Sequence, residues 1–296
     1  MKLLSFFNNS AQVYVIEAND FIKPDDQDLS DFISILSDEE RERFYRFKNE
    51  KAQFTFLTAR VYLRVLLLNI IKKLDLRNAT PLQCFALQPL RLACHPGARM
   101  HSQPPVGRQS LASPNPASQP FVGQLLRLAM TANLRFAEEN KVEQANCKQL
   151  IIETTPSGKP YLKDYPNLFF NLSHTDNLIL IAIANSPVGV DVEKNERNAD
   201  KEAIIKHFFS EKEQQSFFSQ SENKRQLAFV KGWTRKEAIL KATGEGLTAM
   251  KNYEVSFEIE TQFHIIKNSI GNSFEIKDFT PIEGYAACIA LLKTAN

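Results

Sequence analysis

The spacing of apolar and polar positions changes several times along this chain, and each change predicts an element. From Ser37 to Leu74 the stretch SDEERERFYRFKNEKAQFTFLTARVYLRVLLLNIIKKL runs without Gly or Pro. Ser37 stands as a candidate N-cap and Glu40, three positions on, completes a capping box, so one or two long helices are expected. From Gln149 the period shortens. KQLIIETTPSGKPYL reads as a strand followed by a Pro/Ser/Gly turn, and NLFFNLSHTDNLILIAIANSPVGVDVE as three short strands broken by polar turns. Helical segments follow near Lys201 to Phe209 and Ser210 to Ser219, then a long helix over roughly Lys224 to Ala242 that stops at Thr243 and Gly244. YEVSFEIE, QFHIIKNS and GYAACIALL close the chain as strands. Helices segregated from antiparallel strands predict the α+β class.

One stretch breaks the pattern. Leu76 to Ala137 contains no Asp, Glu, Lys, Ile, Tyr or Trp, yet holds eight of the fourteen prolines. Pro blocks both helix and ladder there, and little is available to bury. Residues 76–137 are therefore expected to be a Pro-rich, disordered insertion.

Composition narrows the class without naming a chemistry. The 296 residues are 43% hydrophobic and 24% charged with a net charge of +2, enough for one large or two ordinary cores and too balanced for a bulk nucleic-acid binder. The opening MKLLSFFNNSAQ is too short an apolar run for a secretory leader, and VLLLNII and LILIAIA are well below spanning length. A soluble cytoplasmic protein is expected. Cys84, Cys94, Cys147 and Cys288 form no C-x-x-C pair, which supports neither a disulfide framework nor a zinc site.

The segment GVDVEKNER alternates Val190 and Val192 with Asp191 and Glu193, placing both carboxylates on one face of a strand. Like charges so close require a cation, a metal ion or open water between them. In FVKGWTRKEAILKATGEGL, Trp233, Glu237 and Lys241 lie four apart on one helical face, with Lys236 near its edge. Alone, a Glu followed by Lys at i+4 is a surface pair worth about 0.2–0.5 kcal/mol. Together, Asp191, Glu193 and Glu237 are three hard oxygen ligands suited to Mg²⁺, with Lys241 and Lys236 as point charges for phosphate. NLSHT adds the Ser173 hydroxyl and the His174 ring in a strand-end turn, and SGKP an exposed Lys159. No nucleophile and base pair stands out, so metal-assisted displacement at phosphorus fits best. Arg41, Arg43, Arg46, Lys48, Lys51, Arg60 and Arg64 make the exposed surface of the first long helical stretch basic. His95, His101, His207 and His264 read as structural or surface residues.

SGKPYL, FNLSHT, GVDVE and WTRKEAILKA, in that order, resemble the signature motifs of 4′-phosphopantetheinyl transferases of the surfactin-synthetase-activating type. The resemblance runs loosely over Ser37 to Leu74 and well from Lys148 onward. It implies transfer of the phosphopantetheine arm of coenzyme A, the co-substrate, to a serine of an apo acyl or peptidyl carrier protein, with release of 3′,5′-ADP. It implies a monomer of two similar α+β halves about a pseudo-twofold axis, here residues 1–186 and 187–296, acting on neither nucleic acid nor membrane. Asp191, Glu193 and Glu237 would bind Mg²⁺, with Lys241 on a phosphate and Ser173 and His174 on coenzyme A phosphate. Gly158, Lys159 and Pro160 would flank the adenine, and Arg43 would meet the 3′-phosphate. Glu40 stands where another Lys is common, and Arg60 is a further candidate. The general base would be Glu237 or a water oriented by Glu193. Competing readings are a non-catalytic coenzyme A or carrier-protein binding module, a transferase disrupted by the insertion, and a Mg²⁺-dependent nucleotide hydrolase.

Overall fold

The computed structural model describes residues 1–17, 26–74, 150–196, 199–259, 263–267 and 273–293. The Pro-rich stretch 76–137, with Cys84, Cys94, His95 and His101, lies outside the described residues, as does Cys147.

The chain opens with a hairpin of β1 (Lys2–Phe6) and β2 (Ala11–Glu17). Its connection places Phe7, Asn8 and Asn9 at φ 52°, 53° and 69°, a left-handed run that Asn tolerates better than most residues. Sequence periodicity, read only for a leader, had not assigned these strands. Three helices follow: α1 (Asp26–Ile35), α2 (Asp38–Arg46) and α3 (Glu50–Leu74). The capping box forms as expected, with Glu40 N donating to Ser37 Oγ and Ser37 N to Glu40 Oε2. The helical stretch is two helices because Asn49 Oδ1 accepts from Ala52 N and caps a new start. Glu50–Ile71 is long and apolar enough to cross a membrane by length and composition, yet it is 72% buried inside the protein, as a core helix is.

Next come β3 (Ile152–Thr154), β4 (Pro160–Leu162), β5 (Phe169–Thr175), β6 (Leu178–Ala184) and β7 (Val188–Lys194); β3 and β5–β7 lie in the places expected, and β4 is an added strand that pairs with β3 across the turn. Then follow α4 (Lys201–Phe208), α5 (Glu211–Phe218), α6 (Glu222–Thr243), a 3₁₀ turn (Leu247–Asn252), β8 (Phe263–Lys267), β9 (Ser273–Phe279) and β10 (Tyr285–Lys293). The α+β class stands. Two antiparallel four-stranded sheets form, ordered β1-β2-β6-β5 and β7-β10-β9-β8.

Burial explains the layering. Ile179, Ile181 and Ile183 of β6 pack with Leu63, Leu66 and Leu67 of α3. Leu180 and Ala182, on the other face, meet Val190, Val192 and Ile289 of the second sheet. Both faces of β6 are covered, so LILIAIA is an unbroken apolar run. The second sheet's remaining face carries Phe274, Ile276 and Cys288 against Ala238, Ile239 and Ala242 of α6. Cys288 is a free, buried thiol. The order of layers is therefore helix, sheet, sheet, helix.

Two expectations need correction. YEVSFEIE forms no strand over its described residues, although Tyr253, Val255 and Phe257 point inward. Buried side chains take the place of a ladder: Val255 N donates to Glu213 Oε1, Arg235 donates to the Ser256 and Glu258 carbonyls, and Lys231 Nζ to that of Ile259. Conversely SFEIKDF, unassigned from sequence, is β9 between β8 and β10.

Candidate functional site

The site begins with a glycine. A Cβ on Gly189 would overlap Ala238 O and Ala242 N and come within 2.9 Å of Lys241 C, so only Gly lets β7 lie against the backbone of α6. Alternation puts Asp191 and Glu193 on the same face as Gly189. Glu237 and Lys241 immediately precede the two α6 residues that touch it. Asp191 and Lys241 therefore meet where β7 crosses α6, with Glu193 and Glu237 carried on the same two elements.

Asp191 is 4% exposed. Its Oδ1 accepts from Lys241 Nζ at 2.7 Å and from Ser173 Oγ at 2.9 Å, and Lys241 Nζ also reaches Ser173 Oγ at 3.0 Å. Its Oδ2 is buried without a hydrogen-bond partner. A buried carboxylate oxygen left open is costly unless something else binds there. β5 holds the edge of β7 through a second side chain, because Asn171 Oδ1 accepts from Val190 N at 2.9 Å. Glu193 and Glu237 are half-buried. The expectation that two anions need a cation is met at Asp191 by Lys241.

Positive charge converges beside this acid. His174 follows Ser173 near the end of β5, and although its edge is open to solvent, partial burial lowers its pKa below 6.5, with Lys241, Arg60 and Arg43 adding to the shift. The Arg43 and Arg60 guanidinium groups share one ring, lying 5.2 and 5.4 Å from the centroid of Phe56. Burial lowers the Arg60 pKa, opposed by Glu40 and reinforced by Arg43 and Arg64. Glu40, where the resemblance suggests another cation, binds Arg64 at 2.8 Å and approaches Arg60 at 3.8 Å. That one carboxylate does not offset three arginines. The surplus cations are the chemistry of a polyanion site.

Other expected residues go elsewhere. Lys236 is corrected from the phosphate set: it is fully buried, donating to Glu213 Oε2 and Met250 O, each at 2.8 Å, and lying 4.5 Å from the Phe209 centroid. Five positions from Lys241, it points into the core. Arg64 is likewise not surface charge, being 1% exposed and bonded to the Leu150 carbonyl. Trp233 packs in the core against Phe208 and Phe229, as expected. Gly158, at φ 88°, forms the β3–β4 turn, and Pro160 begins β4. Lys159 extends from that turn to the Lys241, Ala242 and Val188 carbonyls.

Sequence reasoning missed Asn171, whose signal was an Asn, a poor strand former, within the apolar start of β5. It also missed the buried Arg235–Asp278 pair, joined from Nε to Oδ1 at 3.1 Å and from Nη2 to Oδ2 at 2.5 Å.

Comparison with known proteins agrees with the motifs. Residues 187–290 match the family model described as the 4′-phosphopantetheinyl transferase superfamily. The chain is 38% identical over 101 residues to the 4′-phosphopantetheinyl transferase psf-1 of Bacillus pumilus, covering 34% of this chain and 42% of that protein. It is 32% identical over 138 residues to the transferase HetI of Nostoc, covering 45% and 57%. It is 27% identical over 150 residues to the transferase Sfp of Bacillus subtilis, covering 50% and 66%. The chain thus spans about half the length of the curated relatives it matches.

Proposed function

With residues 187–290 a domain of the 4′-phosphopantetheinyl transferase superfamily, we propose that this chain transfers the phosphopantetheine arm of coenzyme A to a serine of an apo acyl or peptidyl carrier protein. The observation that carries this reading is one juxtaposition: Arg43, Arg60 and Lys241 gather positive charge around the His174 ring beside Asp191, whose second oxygen is buried and open. A pyrophosphate ester with a further phosphate fits such a surface. The carrier's serine oxygen attacks the phosphorus bearing the pantetheine arm, and the P–O bond to 3′,5′-ADP breaks. The serine proton passes to Glu237 or to a water held by Glu193. Lys241 and His174 hold the phosphates in line, and Arg43 and Arg60 the nucleotide's outer phosphate.

Asp191 Oδ2 suits a divalent cation, because it is the one described carboxylate oxygen that is buried without a partner. Among the described residues no three His, Cys, Asp or Glu side chains are gathered to hold a metal ion. Glu193 and Glu237 would complete the set once an ion draws them in. Bound Mg²⁺ would neutralise charge on the pyrophosphate.

The same reading treats residues 1–186 and 187–296 as two halves about a pseudo-twofold axis, working as a cytoplasmic monomer with coenzyme A between them. Each half contributes one sheet and one covering helix, which supports that view. Incubating a panel of apo carrier proteins with this chain, coenzyme A and Mg²⁺ should add one phosphopantetheine mass to at least one carrier, and EDTA should prevent it. Coenzyme A binding by the folded chain without any mass gain would favour the binding module instead.

A further inference from the structure

The β3–β4 turn is held rigidly by its own bonds. Thr155 N donates to Lys159 O at 2.9 Å, Gly158 N to Thr155 O at 2.8 Å and Lys159 N to Thr155 Oγ1 at 3.1 Å. From this turn the Lys159 ammonium donates to Lys241 O at 2.7 Å, to Val188 O at 3.3 Å and to Ala242 O. An ammonium has three N–H donors, and here each has a carbonyl. Two of the carbonyls belong to the last turn of α6, which has no intrahelical partners for them and carries the negative end of the helix dipole. The third begins β7. The Lys159 stem also packs on the helix cap, since a Cβ on Gly244 would sit 3.1 Å from Lys159 Cδ.

We propose that Lys159 is a positioning residue: it clamps the final turn of α6 to the start of β7 and so sets the Lys241 ammonium against Asp191. The peptide carbonyl it holds is that of Lys241 itself, whose Nζ lies 2.7 Å from Asp191 Oδ1. With its donors engaged by backbone, the Lys159 ammonium acts on the nucleotide through Lys241 rather than by touching it. Substrate contact by Gly158 or Pro160 is compatible with this.

The kinetic part of the test rests on the transferase reading; the exchange part does not. Lys159→Met keeps the stem and removes the donors. In hydrogen exchange, amides of residues 239–244 should exchange at least about tenfold faster than in the parent chain, while those of β6 are unchanged. In carrier labelling, kcat should fall about tenfold with the KM for coenzyme A within about twofold, and Lys159→Met combined with Lys241→Met should be no slower than Lys241→Met alone. Lys159→Gln, with two donors on a shorter stem, should exchange at an intermediate rate. Unchanged exchange in the last turn, or a raised KM with kcat intact, overturns the proposal, as does loss of the fold in both variants. If the parent chain labels no carrier the transferase reading fails, and the exchange comparison still decides the role of Lys159.

Discussion

Helix α6 carries two acid–lysine pairs on opposite sides, and their difference locates function better than their likeness. On the core side Lys236 meets Glu213 at 2.8 Å, with side chains 0% and 3% exposed. Everything there is satisfied: Glu213 also accepts from Ser210 N and Val255 N, and Lys236 also donates to Met250 O. On the other side Lys241 meets Asp191 at 2.7 Å, with side chains 27% and 6% exposed. Here one carboxylate oxygen accepts two bonds and the other none. The first pair joins α5, α6 and the segment after the 3₁₀ turn. The second retains unused bonding capacity beside a surplus of cations, which is what a ligand requires.

Removing one carboxylate charge from each pair should separate the two roles. Glu213→Gln leaves the Lys236 ammonium buried and unpaired, and should lower unfolding free energy by about 3–5 kcal/mol in a urea titration. Turnover per folded molecule should be retained, so a stable variant that has lost activity would break the contrast. Asp191→Asn should do the opposite. Lys241, more than a quarter exposed, can turn to solvent, so stability should shift by less than about 1 kcal/mol. Carrier labelling should fall by at least about 10²-fold, the scale on which one preorganised electrostatic group acts. Labelling within about threefold of the parent chain would remove Asp191 from the chemistry.

How much of this could be read beforehand follows from the range of the forces. The helix starts at Ser37 and Ser210, the α6 stop at Gly244 and the β5–β7 strands were legible because caps, turns and apolar periods act over a few residues. The carboxylates of β7 and α6 were legible as a pattern, whereas the close approach at Gly189 was not, because it depends on where α6 packs. Lys236 was misplaced because a helical face can be deduced from spacing, whereas which face meets the core depends on α5 and the 3₁₀ turn. The segment after Tyr253 read as a strand because its apolar alternation is genuine. What replaced its ladder was Arg235, Lys231 and Glu213, contributed from 21 to 42 residues away. Arg43 and Arg60 read as basic helix surface by pattern and as phosphate candidates by resemblance, while their shared packing on Phe56 emerged only in the fold. In each case local pattern was right and distant partners changed its meaning.

The smallest expected effect concerns His174. Burial and the neighbouring cations hold its pKa below 6.5 in the free protein, so between that lowered value and about 6.5 the unfolded chain binds more protons than the folded one. Stability contributed by the neutral ring is therefore complete above about pH 6.5 and declines as pH falls through the folded pKa. A bound polyanion reverses the sign of the local field and favours imidazolium. Pyrophosphate or 3′,5′-ADP should consequently bind with uptake of a fraction of a proton near pH 6, and more tightly as pH drops from about 7 to 6. Titration calorimetry in two buffers of different ionisation enthalpy measures that uptake directly. His174→Gln should abolish the uptake and flatten the acid-side loss of thermal stability, leaving binding at pH 8 nearly unchanged. Equal uptake in the variant would assign the proton to another group and detach His174 from the cluster of Arg43, Arg60 and Lys241.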